Sequence, residues 1–292
     1  MQTPTHISNQ DARRLLLYVH GLSFAPHRKL TAPGLLELIE HIGFVQVDSI
    51  HTIERAHHMI LFARHPTYQQ GQLAHLLETE RVLFENWTHD AAIIPMQFYP
   101  YWKPRFAREQ ERLRTVWRHR RRQGFEAQVD QVLSHIHANG PVMARDLGTE
   151  QKKGTQGWWD WHPAKTALEY LWRCGDLAIT RRNGFQKVYD LAERVIPATA
   201  RNGNPSKDAV VDWACRSALD RLGFATPREL AEFWAAVSTA EAQAWCRHHL
   251  DNGVEQVMVE CADGSPPRPM FAPGNLVELL KTYHNRPGDC AF

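Results

Sequence analysis

Leu177-Ala178-Ile179-Thr180-Arg181-Arg182-Asn183-Gly184-Phe185-Gln186-Lys187-Val188-Tyr189-Asp190 reads as two short strands, residues 177–180 and 185–190, joined through Arg181-Arg182-Asn183-Gly184. An Asn-Gly pair between two apolar runs is the strongest short-range hairpin signal, because a tight hairpin needs positive φ at its turn. Upstream, residues 125–138 carry Val129, Val132, Leu133 and Ile136 at helical spacing, and Asn139-Gly140-Pro141 ends that run. Residues 142–147 are expected to form a short second helix. Residues 163–174 form a third, with Pro163 at its start, Leu168 and Leu171 as apolar anchors and Gly175 as its stop. Three helices followed by a hairpin is the order of a winged helix. Two arginines at a hairpin tip suit a wing that meets phosphates.

Two more segments read similarly. Helices are expected over residues 209–222, 227–233 (with Thr226 as N-cap) and 239–250, followed by a strand over 254–261. A return strand looks poor, because Gly264-Ser265-Pro266-Pro267 interrupts it and Met270-Phe271 offers little to pair. Toward the N-terminus, helices are expected over residues 9–21 and 32–42, the latter capped by Thr31, before an extended stretch at 45–48. The expected fold is therefore mainly α with small β-hairpins (α+β), built from tandem winged-helix (helix-turn-helix) units. The expected divisions are 1–123, a winged-helix-like catalytic unit plus a basic helix; 124–198, the middle winged helix; and 199–292, a third such unit.

Composition narrows the partners. The chain has 292 residues, 43% of them hydrophobic, which is ordinary for a globular protein. No apolar run is long enough to span a bilayer, and no basic-then-apolar leader opens the chain, so a cytoplasmic protein without membrane partners is expected. Cys174, Cys215, Cys246, Cys261 and Cys290 are scattered without metal-ligand spacing. Net charge is only +2, but residues 103–122 hold nine cations (Lys103, Arg105, Arg108, Arg112, Arg114, Arg118, Arg120, Arg121, Arg122) against Glu109 and Glu111. This basic run is either a solvated helix face or a surface for a phosphate backbone.

Gly43-Phe44-Val45-Gln46-Val47-Asp48-Ser49-Ile50 carries the chemistry. In an extended segment residues i and i+2 share a face, so Gln46 and Asp48 point one way while Val45 and Val47 point the other. An amide that can hold a water beside a carboxylate that can take its proton is a hydrolytic pair. The plain alternative is an edge strand with one wet face. Arg55 and Arg64 flank the segment and suit phosphate contacts. His89, in Trp87-Thr88-His89-Asp90, either contacts phosphate, positions Asp48, or is a buried structural histidine. His51, His57, His58 and His65 with Glu54 lack metal-ligand spacing. Trp158, Trp159 and Trp161 divide between core packing and base stacking.

With these blocks in place, the chain resembles the bacterial winged-helix DNA glycosylases of the YcaQ/AlkZ type. The matching residues are Asp11-Ala12-Arg13, Gln46-Val47-Asp48-Ser49-Ile50, Leu61-Phe62-Ala63-Arg64, Trp87-Thr88-His89-Asp90-Ala91-Ala92, Gly157-Trp158-Trp159-Asp160-Trp161-His162-Pro163, the Arg181–Leu191 block and Arg194-Val195-Ile196-Pro197. The resemblance covers roughly residues 9–198. It implies a monofunctional DNA glycosylase with Gln46 and Asp48 as catalytic residues, in the glutamine–aliphatic–aspartate branch that unhooks interstrand crosslinks and excises N7-alkylpurines. It implies no lysine Schiff base, and neither a metal nor any other cofactor is expected. It further implies a monomer acting on double-stranded DNA in the bacterial cytosol and nucleoid. DNA contacts are expected from Arg55, Arg64, His89, Arg118, Arg120, Arg121, Arg122, Arg181, Arg182 and Lys187. Family members of the usual length continue into a β-rich C-terminal domain whose Ser-Pro-Phe-Asp-type block is not found here, so either a shortened member or an early end of the reading frame is expected. The competing expectations are a non-catalytic winged-helix regulator and a truncated, inactive relative that still binds DNA.

Overall fold

The computed structural model describes residues 4–23, 26, 28–119, 125–147 and 163–284. Arg120, Arg121 and Arg122, and Trp158, Trp159 and Trp161, lie outside the described residues. The strands are β1 (Thr5–Ile7), β2 (Val45–Gln46), β3 (Leu83–Trp87), β4 (Ala91–Pro95), β5 (Val142–Met143), β6 (Leu177–Asn183), β7 (Gln186–Leu191), β8 (Val254–Val259) and β9 (Arg268–Pro273). They form three three-stranded sheets, β1-β8-β9, β2-β4-β3 and β5-β7-β6, among helices. The mixed α+β class is as expected.

The chain forms two compact units: Met1–Val45 with His57–Gln69 and Pro205–Phe292, and Gln46–Ala56 with Gln70–Asn204. The N-terminal helices therefore group with the C-terminal segment, and not with the residues up to 123. The reason is a strand that local pattern cannot reveal. β1 pairs in parallel with β8, Thr5 opposite Val257 and Ile7 opposite Val259. Ile7, Leu15, Val19, Val257, Ala272 and Leu276 close one core in this first unit. The return strand also forms. β9 pairs with β8 along its length, from Arg268 opposite Val259 to Pro273 opposite Val254. Pro269 and Pro273 are tolerated because β9 is an edge, where a missing N–H removes no needed ladder bond. Its alternation survives, with Met270 and Ala272 buried. Helices Lys207–Leu222, Pro227–Trp234 and Thr239–His249 begin at Ser206, Thr226 and Ser238, and the last two carry capping boxes closed by Glu229 and Glu241.

The helix Ala32–Ile42, capped by Thr31, ends at Gly43 with φ 91°. A Cβ on Gly43 would lie 2.6 Å from the Arg221 guanidinium and 2.9 Å from the Trp234 ring, so only glycine fits. Phe44 then packs edge-on against Trp234 with centroids 5.8 Å apart. This fixes where the chain leaves the first unit, directly before Gln46.

In the second unit, residues 142–147 are not a helix. Val142 and Met143 pair with Tyr189 and Val188 as strand β5, and only Ala144–Leu147 makes a 3-10 turn. The Asp146 carboxylate accepts from the Met143 N–H at 2.9 Å, an i, i+3 bond that competes with helix. Helices Glu126–Asn139 and Pro163–Arg173 form close to their expected bounds. Gly175 (φ 84°) stops the latter, and a Cβ there would enter the Phe106 ring at 2.5 Å.

The hairpin exists, shifted by one residue. Asn183 pairs with Gln186, so Gly184 (φ 54°) and Phe185 (φ 72°) are the turn. Arg181 and Arg182 accordingly lie within β6, not at its tip. Arg182 donates to both Glu85 carboxylate oxygens, at 2.6 and 2.9 Å, and to the Phe185 carbonyl at 2.7 Å. The Glu85 side chain is fully buried. Leaving a buried carboxylate without its cation costs about 3–5 kcal/mol. Arg182→Met is therefore expected to lower unfolding free energy in urea by about 3 kcal/mol. Adding Glu85→Gln should recover part of that loss in a double-mutant cycle.

Candidate active site

Gln46 and Asp48 emerge at the edge of the β2-β4-β3 sheet, where β2 is the outer strand. Val45 and Val47 are buried, Gln46 is exposed and Asp48 is half-buried, the alternation an extended segment requires. The Val47 N–H donates to the Ala91 carbonyl at 2.7 Å and carries the pairing past Gln46. One Asp48 carboxylate oxygen accepts from the Ile50 N–H at 2.8 Å, which turns the chain away from the sheet. The site thus offers a solvent-facing carboxamide and a partly shielded carboxylate two residues apart at the strand edge. Such a pair can hold a water and receive its proton.

β4 reaches this edge from a tight turn with β3. The Thr88 N–H donates to the Asp90 carbonyl at 2.8 Å, and the Ala91 N–H donates to the Asp90 carboxylate, also at 2.8 Å. His89 tops this turn and is exposed, so the buried structural role does not apply. Arg105 supports the turn from within, donating to the Thr88 carbonyl at 2.6 Å. Burial pushes its pKa down to about 10, with Glu109 opposing.

The expected cations separate into two groups. Arg55 donates to the Ser49 carbonyl at 2.9 Å, and its guanidinium lies 3.7 Å from the centre of the Phe185 ring. Arg55 therefore ties the segment after Asp48 to the hairpin turn. Arg181 is exposed on the same hairpin. Arg118 belongs to the helix Tyr99–His119. Three of the expected DNA contacts have partners within the protein. Arg64 spends its guanidinium on the His20 carbonyl at 2.7 Å and the Ile60 carbonyl at 2.9 Å, closing the end of the helix Asn9–Val19. Arg182 serves Glu85. Lys187 lies 3.4 Å from the centre of the Trp172 ring, and burial pushes its ammonium down to about 8 despite Glu85 and Glu169 nearby.

Within the described part of the basic run, several cations have partners inside the protein. Arg105 is buried. Lys103 donates to the Gly203 carbonyl at 2.7 Å, Arg114 to the Tyr170 hydroxyl at 2.8 Å, and Arg112 to Glu109 at 2.7 Å. The histidines act locally. His58 shares a hydrogen bond with the Tyr68 hydroxyl at 2.8 Å, and His65 with the Thr67 hydroxyl at 3.1 Å. Arg81 was missed. It donates to the Thr180 carbonyl at 2.8 Å from a backbone with φ 56°, a conformation for which its sequence gives no signal.

A family model described as "AlkZ-like: DNA glycosylase AlkZ-like" matches residues 39–281. Among solved structures, the chain is similar to the Streptomyces sahachiroi DNA glycosylase AlkZ, with a TM-score of 0.65 and 14% identity over 95% of this chain and 72% of that one. At that identity the likeness speaks for the fold. No helix among the described residues is long and apolar enough to cross a membrane.

Lys187 yields a test of the hairpin's electrostatics. Its folded pKa lies below its unfolded one, so the unfolded chain binds more protons between about pH 8 and 10.5. Stability from this group then rises with pH across that window, and the burial penalty is fully present below it. Lys187→Met, of similar volume, is expected to be more stable than the parent at pH 7.5. The advantage should shrink by pH 10, as read by urea unfolding at both pH values.

Proposed function

Because the chain belongs to the AlkZ-like DNA glycosylase family, we propose that it releases N7-alkylated purines and unhooks interstrand crosslinks, with Gln46 and Asp48 as the catalytic pair. The protein is a DNA glycosylase and acts in DNA repair. Membership of an enzyme family argues against the regulator alternative. The observation that carries the proposal is the sheet edge: an exposed amide and a half-buried carboxylate two residues apart, with Val45 and Val47 anchoring them from behind.

An N7-alkylguanine bears a positive charge on its ring and is already a good leaving group. As the C1′–N9 bond breaks, its electrons pass to the cationic ring, which departs neutral without a general acid. What remains is to stabilise an oxocarbenium-like sugar and deliver water to C1′. Gln46 holds the water, Asp48 takes its proton, and the new C1′–O bond leaves an abasic site. The Asp48 oxygen bonded to the Ile50 N–H orients the carboxylate, leaving the second oxygen for the water. The glutamine–aliphatic–aspartate pattern supports the crosslink-unhooking branch. A tethered guanine cannot be swung fully into a closed pocket, and an open strand edge does not demand it. In this proposal the enzyme works as a monomer, and its helix–hairpin segments act as winged helices that follow the phosphates.

Asp48→Asn is expected to slow base release at least about 100-fold, the range for loss of an acid–base or electrostatic group. Duplex affinity should change little. Gln46→Ala should slow release less, because Asp48 can still hold water. Single-turnover assays on N7-methylguanine duplex and on a nitrogen-mustard crosslink measure both. Near-parent rates for Asp48→Asn contradict the catalytic assignment, and no release by the parent would mark an inactive relative.

A further inference from the structure

Beyond Asp48 the chain forms a loop whose apolar residues belong to neither core. Ile50 is 70% exposed and Ile53 is 84% exposed. A single exposed isoleucine needs no explanation. Two within four residues, starting beside the candidate carboxylate, do need one. The loop is held in shape. Asp48 accepts from the Ile50 N–H at 2.8 Å, and Arg55 donates to the Ser49 carbonyl at 2.9 Å. His51 and Arg55 form a β-bridge, and Gln70 donates to Glu54 at 2.6 Å. Arg55 also lies against Phe185, 3.7 Å from its ring centre, beside a hairpin that carries the exposed Arg181. The result is a braced apolar projection flanked by cations.

We propose that the loop 49–55 is a wedge, with Ile50 and Ile53 entering the base stack beside the modified purine from the minor groove. The proposal rests on the glycosylase function above. A duplex presents phosphates outside and apolar base faces within, which matches cations around an apolar tip. Side chains such as isoleucine are used this way, partly unstacking a step and kinking DNA toward the major groove. The groove follows from the lesion. Purine N7 lies in the major groove, so a bulky N7 substituent or a crosslink there leaves the minor-groove side clear. Asp48 is bonded to the Ile50 amide, so an inserted Ile50 carries the carboxylate to the sugar. The wedge thus opens the step and exposes C1′ without extruding the tethered base.

The test uses the full chain and a duplex with 2-aminopurine next to N7-methylguanine. Fluorescence on binding reports unstacking, and base release is followed in the same single-turnover reaction. The parent and Asp48→Asn should both raise fluorescence several-fold. Ile50→Ser with Ile53→Ser should abolish the rise and slow release about tenfold or more, equivalent to about 1.4 kcal/mol. Its melting temperature should not move, because both side chains are exposed. Ile50→Leu with Ile53→Leu should keep both signals. The wedge is overturned if the serine pair keeps the fluorescence rise, or if the parent at saturation gives none. In either case the isoleucines face some other occupant, such as a protein. Full release by Asp48→Asn would remove the catalytic assignment alone, since the fluorescence comparison still decides the wedge.

Discussion

The buried Glu85 carboxylate is the constraint on which the second unit depends. A carboxylate out of water must be paired and hydrogen-bonded or it will not stay charged. Glu85 meets this with the bidentate Arg182 guanidinium. Its own carbonyl accepts from the Trp172 indole N–H at 2.8 Å. The next residue, Asn86, donates to the Trp172 carbonyl at 2.9 Å and accepts from the Trp102 indole N–H at 3.2 Å. One strand is thereby clamped to the hairpin, to the helix Pro163–Arg173 and to the helix Tyr99–His119. β4 is registered on that strand from Trp87–Ala91 to Leu83–Pro95. β4 in turn offers the Ala91 carbonyl to Val47. The position of Gln46 and Asp48 thus traces back through the β2-β4-β3 sheet to a buried acid further along the chain.

This clamp also explains why cations near the site cannot be read as one class. Arginine and lysine in a glycosylase invite a phosphate at each position. Here Arg182 and Lys187 are drawn inward by Glu85 and by the Trp172 ring, and Arg105 by a carbonyl at the head of the turn. Phe185 holds a positive φ that a bulky residue seldom adopts. Arg55 and Arg182, at 3.7 and 4.3 Å from its ring centre, stabilise it there. A side chain that braces the site cannot at the same time be given wholly to DNA. Arg181 and His89, in contrast, are exposed.

Much of this was legible in the sequence for physical reasons. The alternation about Val45 and Val47 is local, and so are the helix caps at Thr31 and Thr226. The hairpin's existence could be read, but its turn could not be fixed to the residue. Asn183-Gly184 and Gly184-Phe185 differ by one position, and the side chains packed on Phe185 are Arg182 of the same hairpin and Arg55, which is distant in sequence. β1 and β9 were invisible for related reasons. β1 is three residues long and pairs some 250 residues away. The prolines of β9 are acceptable only because it lies at an edge. What burial does to charge is a property of neighbours, so Arg64, Arg182 and Lys187 could be assigned only with the fold in hand.

In the proposed reaction a strand-edge amide and carboxylate direct water, and not an amine, at C1′. Lys187 is the amine to watch, since its depressed pKa would suit Schiff-base chemistry, although it is engaged with the Trp172 ring. The direct measurement is base release from N7-methylguanine duplex with cyanoborohydride present throughout, against a no-enzyme control, followed by denaturing electrophoresis. Full release with no covalent protein–DNA band is the expected result. A trapped band that vanishes in Lys187→Met would contradict the account and assign the chemistry to the lysine.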